Sequence, residues 1–100
     1  MVKHIVMWRL KEFAEGRSKD ENLPRMKDRL EALKQKISEI KTLEVGINFN
    51  ETEDSYDIVL YSEFANRESL EAYQRHDEHV KARDFIQKIR LEKKVVDYEV

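Results

Sequence analysis

The side chains of this sequence that can move protons are concentrated in one short segment. Tyr73, His76 and His79 recur at steps of three residues in the stretch YQRHDEHV. A histidine held by a carboxylate is an effective general base, because the carboxylate fixes the ring tautomer and raises its basicity. A tyrosine hydroxyl can stabilise the enolate oxygen that forms when a proton leaves the carbon beside a carbonyl. We therefore predict Tyr73 and His79 as catalytic residues, with Asp97 as the carboxylate that supports His79.

The same residues also allow purely structural roles. His79 and Asp97 can form a buried pair that ties a helix to a strand, since structural ion pairs also perturb titration. Tyr73 can simply pack its ring, His4 can be a hydrogen-bonded sheet histidine, and we expect His76 to face solvent. The three histidines and Asp97 are metal ligands by type, but two histidines three residues apart across a bend are weak evidence for a metal site. We predict neither a metal nor a cofactor.

The composition predicts one small globular domain over residues 1–100. Of the 100 residues, 40% are charged and 40% hydrophobic, and the net charge is −2, a typical globular profile. The absence of cysteine excludes disulfides and thiolate catalysis. Acidic and basic residues are mixed, which gives no basic arm for nucleic acid. The apolar runs fall far short of the ~20 residues of a membrane span, and no signal peptide is recognisable. We expect a cytoplasmic protein with neither nucleic acid nor membrane as partner.

Alternating apolar and polar residues predict four strands, over residues 3–10, 43–49, 56–64 and 93–100. Between the first two, an apolar stripe at helical spacing follows a capping box formed by Ser18 and Glu21; its members are Leu23, Met26, Leu30, Leu33, Ile37 and Ile40. Asn66 is a good N-cap for a short helix that ends near Tyr73. A bend over 74–78 and a further helix precede the last strand. The order β-α-β-β-α-β is that of a ferredoxin-like α+β fold with an antiparallel four-stranded sheet.

The two faces of the predicted sheet differ in what covers them. Alternation places His4, Val6 and Trp8 on the helix side, where we predict a small-molecule pocket with these three as substrate-binding residues. Trp8 can itself fill part of that space, so we expect no large substrate. The opposite face is too apolar to be left in water; it carries Ile5, Met7, Val59, Tyr61, Val96 and Tyr98. Packing this face on a second copy around a two-fold axis predicts a homodimeric α/β barrel.

Three stretches together resemble the Dabb family, the stress-responsive dimeric A/B barrel proteins. They are the opening Lys3-His-Ile-Val, the segment from Tyr73 to Val80 and the closing Val-Val-Asp97-Tyr. The family's central signature is Tyr, two residues, His-Pro, one residue, His. Here Asp77 stands at the position of the proline. The resemblance covers nearly the whole chain.

The resemblance carries expectations about function. It relates the chain to plant polyketide cyclases of the olivetolic acid cyclase type, which close a linear chain by aldol condensation without a metal. It implies functional roles for Tyr73 and His79, support of His79 by Asp97, and a place for His4 in the site. Other members have no assigned activity, and some are linked to stress.

Two functions remain open at this point. The first is a homodimer with a small-molecule pocket and cofactor-independent enolisation or aldol-cyclase chemistry. The alternative is a non-catalytic, stress-associated structural dimer with a buried His–Asp pair. An RNA-binding role of the ferredoxin-like sheet is excluded, because the third strand lacks the basic and stacked aromatic pattern, and Asp57 and Glu63 would repel phosphate.

Overall fold

The computed structural model describes residues 1–100 as a four-stranded antiparallel sheet with its helices on one face. The sheet has the order β4-β5-β1-β6, with β1 (Val2–Leu10), β4 (Thr42–Ile47), β5 (Ile58–Phe64) and β6 (Arg90–Glu99). The other elements are a small hairpin and three helices: β2 (Phe13–Ala14), β3 (Arg17–Ser18), α1 (Lys19–Lys36), α2 (Arg67–Arg75) and α3 (Asp77–Ile89). The predicted ferredoxin-like topology is confirmed, including the division of the second helical region into two helices; the small hairpin was not predicted. None of the helices combines the length and the apolar character needed to cross a membrane.

Helix α1 begins at the predicted capping box. The Glu21 backbone N–H donates to the Ser18 hydroxyl at 3.2 Å, and the Glu21 carboxylate accepts from the Ser18 backbone N–H at 3.0 Å. These reciprocal bonds satisfy donors that a helix start otherwise leaves free. The helix buries Met26, Leu30 and Leu33 against the sheet. It ends at Lys36, so the last two apolar residues of the predicted stripe belong to the chain that follows, although both are buried.

The pairing of β1 with β6 places the site residues on one face. His4 lies opposite Asp97, Val6 opposite Val95, and Trp8 opposite Lys93. Directly opposed residues of an antiparallel pair point to the same side of the sheet. His4, Val6 and Trp8 are buried, as the face assignment predicts.

The other face of the sheet is uncovered in the single chain. Met7 is 37% exposed, Val96 55% and Tyr98 40%. Ile5 lies between Val96 and Tyr61 in the strand register, so the apolar residues form one continuous patch rather than scattered positions. A patch of this kind on a small protein indicates an interaction surface.

Three strand boundaries differ from the predicted ones by two residues or more, and one hairpin was not predicted. The third predicted strand begins at Ile58 rather than Tyr56. The second predicted strand stops at Ile47 rather than Phe49, which is 96% exposed. Asn48 ends it, because its side-chain oxygen accepts from the Asn50 backbone N–H at 2.9 Å in a local turn. The last strand begins at Arg90, three residues earlier than predicted. The hairpin was missed because Glu15, an unusual residue for the left-handed region, shares its turn with Gly16, with φ of 53° and 76°.

Candidate functional site

Tyr73 occupies the buried end of helix α2. Its side chain is 1% exposed, and its ring lies 5.0 Å from the Phe64 ring and 4.5 Å from the His79 ring, centre to centre. Burial raises the pKa of the Tyr73 hydroxyl well above its usual value. Tyr73 is therefore a neutral hydrogen-bond donor at every physiological pH.

His79 lies in the first turn of α3, beside Tyr73. Its Nδ1 is 3.0 Å from the carbonyl oxygen of Gln74. That carbonyl belongs to the last turn of α2, where no helical N–H remains to bind it. Since a carbonyl can only accept, the ring carries its proton on Nδ1 and leaves Nε2 free to accept another.

The surroundings of His79 keep it neutral. Burial lowers its pKa, and the positive charges of Arg83 and Lys93 together with His4 lower it further, while the Gln74 carbonyl opposes the shift. A neutral imidazole with one free nitrogen is the form that acts as a general base.

The predicted pair of His79 with Asp97 does not form. Asp97 instead binds Nδ1 of His4, its direct neighbour across β1 and β6. The partner of His79 is the backbone carbonyl of Gln74 and not a carboxylate. Both the resemblance and the shared sheet face predicted only that Asp97 would lie near the histidines. The strand register determines which histidine it binds, and that register places it opposite His4.

His4 is the more buried member of its pair. Its side chain is 6% exposed against 39% for Asp97, and its ring meets those of Phe64 and Tyr73 edge-on. A carboxylate that binds Nδ1 fixes the tautomer of this histidine as well. The interaction also fastens the first strand to the last.

His76 is not the solvent-facing residue that we predicted. It is half-buried, and its Nδ1 accepts from the Glu78 backbone N–H at 3.1 Å, which caps the start of α3. Asp77, the first residue of that helix, places a negative charge at the positive end of the helix dipole. No group of three or more histidines and carboxylates is arranged to hold a metal ion.

A cavity of about 110 Å³ lies between the sheet and the helices. Val6 and Trp8 are among the residues that line it from the sheet side, so Trp8 does not fill the whole space. His4, Tyr73 and His79 all line it, whereas Asp97 does not; the remaining lining residues are Leu30, Leu60, Gln74, Ala82, Arg83, Ile86, Gln87, Arg90, Lys93 and Val95. The cavity is smaller than usual drug-sized sites. The structure thus brings together five of the six predicted site residues.

Comparison with models of known protein families identifies the family of this chain. A model of the Stress responsive A/B Barrel Domain matches residues 2–100. The chain belongs to the Dabb family. The Asp77 variant of the family signature is accommodated, because the first position of a helix suits an acidic residue as well as a proline.

Several solved structures have a fold similar to that of this Dabb chain. A dimeric ferredoxin-like protein of unknown function from Bacteroides fragilis is 38% identical, with 99% of this chain and 95% of its own covered and a TM-score of 0.82. A dimeric ferredoxin-like protein from Thermobifida fusca is 20% identical, with coverages of 99% and 90% and a TM-score of 0.83. A hydroxynitrile lyase from Passiflora edulis is 16% identical, with coverages of 99% and 92% and a TM-score of 0.83. The latter two show the fold alone. No similar sequence is found among curated proteins.

Sequence reasoning missed the basic residues around the cavity of this Dabb protein. Arg83 lies one turn after His79 on α3, Arg90 is the residue that ends this helix, and both line the cavity with His79. The sequence does contain a signal that Arg83 and Arg90 lie on the same side as His79, because positions 79, 83, 86 and 90 recur at helical spacing. Lys93 follows on β6, opposite Trp8.

Proposed function

We propose that this protein is a homodimer that binds a small molecule in the cavity and abstracts a proton from carbon next to a carbonyl, without a cofactor. The observation that carries the proposal is the contact of a neutral tyrosine with a neutral histidine: Tyr73 and His79 have ring centres 4.5 Å apart at the wall of one cavity. In this proposal Nε2 of His79 takes the proton and the Tyr73 hydroxyl donates to the oxygen of the resulting enolate.

Two further observations support this assignment. His79 owes its orientation to a backbone carbonyl, so the base stays aligned without a second ionisable group. The Passiflora edulis neighbour is a hydroxynitrile lyase, so a protein of this fold can be an enzyme, although a shared fold does not assign the reaction. The Bacteroides fragilis and Thermobifida fusca neighbours, both dimeric, support the homodimer.

Deuterium exchange tests the proposal without knowledge of the natural substrate. We expect the protein to accelerate exchange of the protons beside the ketone of 4-oxopentanoate in D₂O, followed by proton NMR. The base removes the proton to form the enolate, and a deuteron from solvent returns to the same carbon. The variant His79→Gln should reduce this acceleration by about a hundredfold or more, the usual contribution of a general base.

A second histidine provides the matched control for this experiment. The variant His76→Asn should retain the exchange rate, because His76 does not line the cavity and asparagine is an equally good helix cap. Exchange that persists in His79→Gln, or that is lost equally in both variants, contradicts the role of His79.

The pH dependence of exchange should reflect the environment of His79. Because burial lowers the pKa of His79 from its ordinary 6.5, the neutral base persists at lower pH than for a free histidine. The rate should therefore fall on the acid side with a midpoint below 6.5. An acid limb centred at or above that value would show that another group is the base.

A second candidate function is a non-catalytic dimer. The observation that favours it is the pair of buried His4 with Asp97, which links β1 to the edge strand β6. In this case the histidine and the carboxylate serve strand pairing, and the wild-type protein gives no exchange above that of buffer.

A further inference from the structure

The charged side chains around the cavity are all of one sign. Arg83, Arg90 and Lys93 line it, and no aspartate or glutamate does. The whole chain has 21 acidic and 19 basic residues, so this cationic rim of Arg83, Arg90 and Lys93 does not reflect an excess of basic residues in the chain.

The cationic rim has little compensation within the protein. The one ion pair of its members joins Arg83 to the adjacent Asp84 at 3.6 Å, a weak and exposed contact. The nearest acid on the helix side of β6, Asp97, is engaged with His4. Burial lowers the pKa of Lys93, and the charges of Arg90 and Arg83 lower it further, against an opposing effect of Asp97. Positive charges held together in this way favour a bound anion.

The inner wall of the cavity has the opposite character. Most of its surface is hydrocarbon, from Val6, Trp8, Leu30 and Ile86 among others. Its volume of about 110 Å³ is below that of the engineered apolar cavity of about 150 Å³ that binds benzene. A ligand that satisfies both parts has a short carbon skeleton inside and a negative charge at the rim.

We propose that the ligand of this cavity is a small carboxylate, whose carbon chain lies between Trp8 and Ile86 and whose carboxylate is held by Arg83, Arg90 and Lys93. The inference rests on the proposed function and names its substrate class, a short oxo-acid. Guanidinium groups match the planar carboxylate through paired hydrogen bonds. Free phosphate would satisfy the rim but leave the hydrocarbon wall without a partner.

Binding of a matched pair of probes tests the charge requirement on the wild-type protein. 4-Oxopentanoate and 4-oxopentanamide have the same number of heavy atoms and differ in charge. NMR titration of the protein should give a dissociation constant at least about tenfold lower for the carboxylate, the difference expected of a charge-assisted hydrogen bond. Its affinity should fall as salt is added. Inorganic phosphate is the third probe and should bind more weakly than the carboxylate.

Variants locate the carboxylate at the rim. Arg83→Gln and Lys93→Gln should each weaken 4-oxopentanoate binding at least threefold and leave 4-oxopentanamide unaffected. Lys88→Gln is the control, since it removes the same charge from α3 at a residue that does not line the cavity. An equal loss of 4-oxopentanoate affinity in Lys88→Gln would show that only the net charge of the protein matters. That result would overturn the placement of the carboxylate at the rim.

The outcomes separate this inference from the function on which it rests. Equal affinities of the two oxo compounds, or tighter binding of phosphate, overturn the carboxylate and leave the pocket and its base in place. Failure of both oxo compounds to bind overturns the pocket itself. Binding of the carboxylate without deuterium exchange supports the inference and removes the catalytic proposal.

Discussion

Replacing Val96 with aspartate is expected to convert the proposed homodimer to a monomer. Val96 is 55% exposed in the single chain and lies beside Ile5 on the apolar face of the sheet. In a dimer formed through this face the new carboxylate would be buried without a partner. Such a charge costs about 3 kcal/mol or more, on the order of a hundredfold in the dissociation constant. In the monomer the same carboxylate stays in water, so the fold survives.

Native mass spectrometry or sedimentation across a concentration series measures this change. Phe13→Asp is the matched control, because Phe13 is 68% exposed and lies on the small hairpin away from the sheet face. It should leave the mass of the assembly unchanged. A Val96→Asp protein that remains dimeric at the same concentrations as the wild type would place the interface elsewhere.

The second large effect is expected for Phe64→Ala, which should lower the free energy of unfolding by about 3–5 kcal/mol. Phe64 is fully buried and supports two site residues, with ring centres 5.0 Å from Tyr73 and 6.4 Å from His4. Its removal leaves a cavity that the surrounding strands and helix cannot fill. The tyrosine then loses the wall that sets its orientation toward His79.

Urea unfolding followed by the fluorescence of Trp8 measures the loss, at a fixed protein concentration because the assembly contributes to stability. Phe13→Ala is the control for the same chemical change, since Phe13 is 68% exposed and lies on the small hairpin away from the proposed dimer face. It should shift stability by no more than about 0.5 kcal/mol. Similar losses in the two variants would mean that Phe64 is not part of a rigid core.

The fold was predictable because its signals are local and repeated. Period-two alternation identified β1 and its two faces, and the capping box located the start of α1 to the residue. What local signals did not provide were the ends of elements set by single turns. Asn48 stops β4 through its own side chain, and the Glu15-Gly16 turn depends on a backbone conformation that glutamate rarely adopts.

Five of the six predicted site residues line the cavity, but their hydrogen bonds were not predictable from the sequence. Tyr73, His79, His4, Val6 and Trp8 line one cavity, as face and order along the chain predicted. The partner of Asp97 was predicted incorrectly, because two histidines lay within its expected reach and only strand register distinguishes them. The backbone carbonyl that holds His79 has no sequence signal, since every residue carries one. The cationic rim was missed because only helical spacing marks Arg83 and Arg90, and Lys93 lies on the next strand.

Between Tyr73 and His79, where α2 ends and α3 begins, the number of residues matters more for the site than their identity. His76 ends one helix and caps the next, and the carbonyl of Gln74 holds His79 across the break. Inserting or deleting one residue in the first turn of α3, between its cap His76 and His79, would turn His79 by about 100° around the helix axis. His79 would then leave Tyr73, although both residues would still be present. The residues between Tyr73 and His79 can be substituted in many ways. Adding or removing one of them separates the His79 base from the Tyr73 hydroxyl.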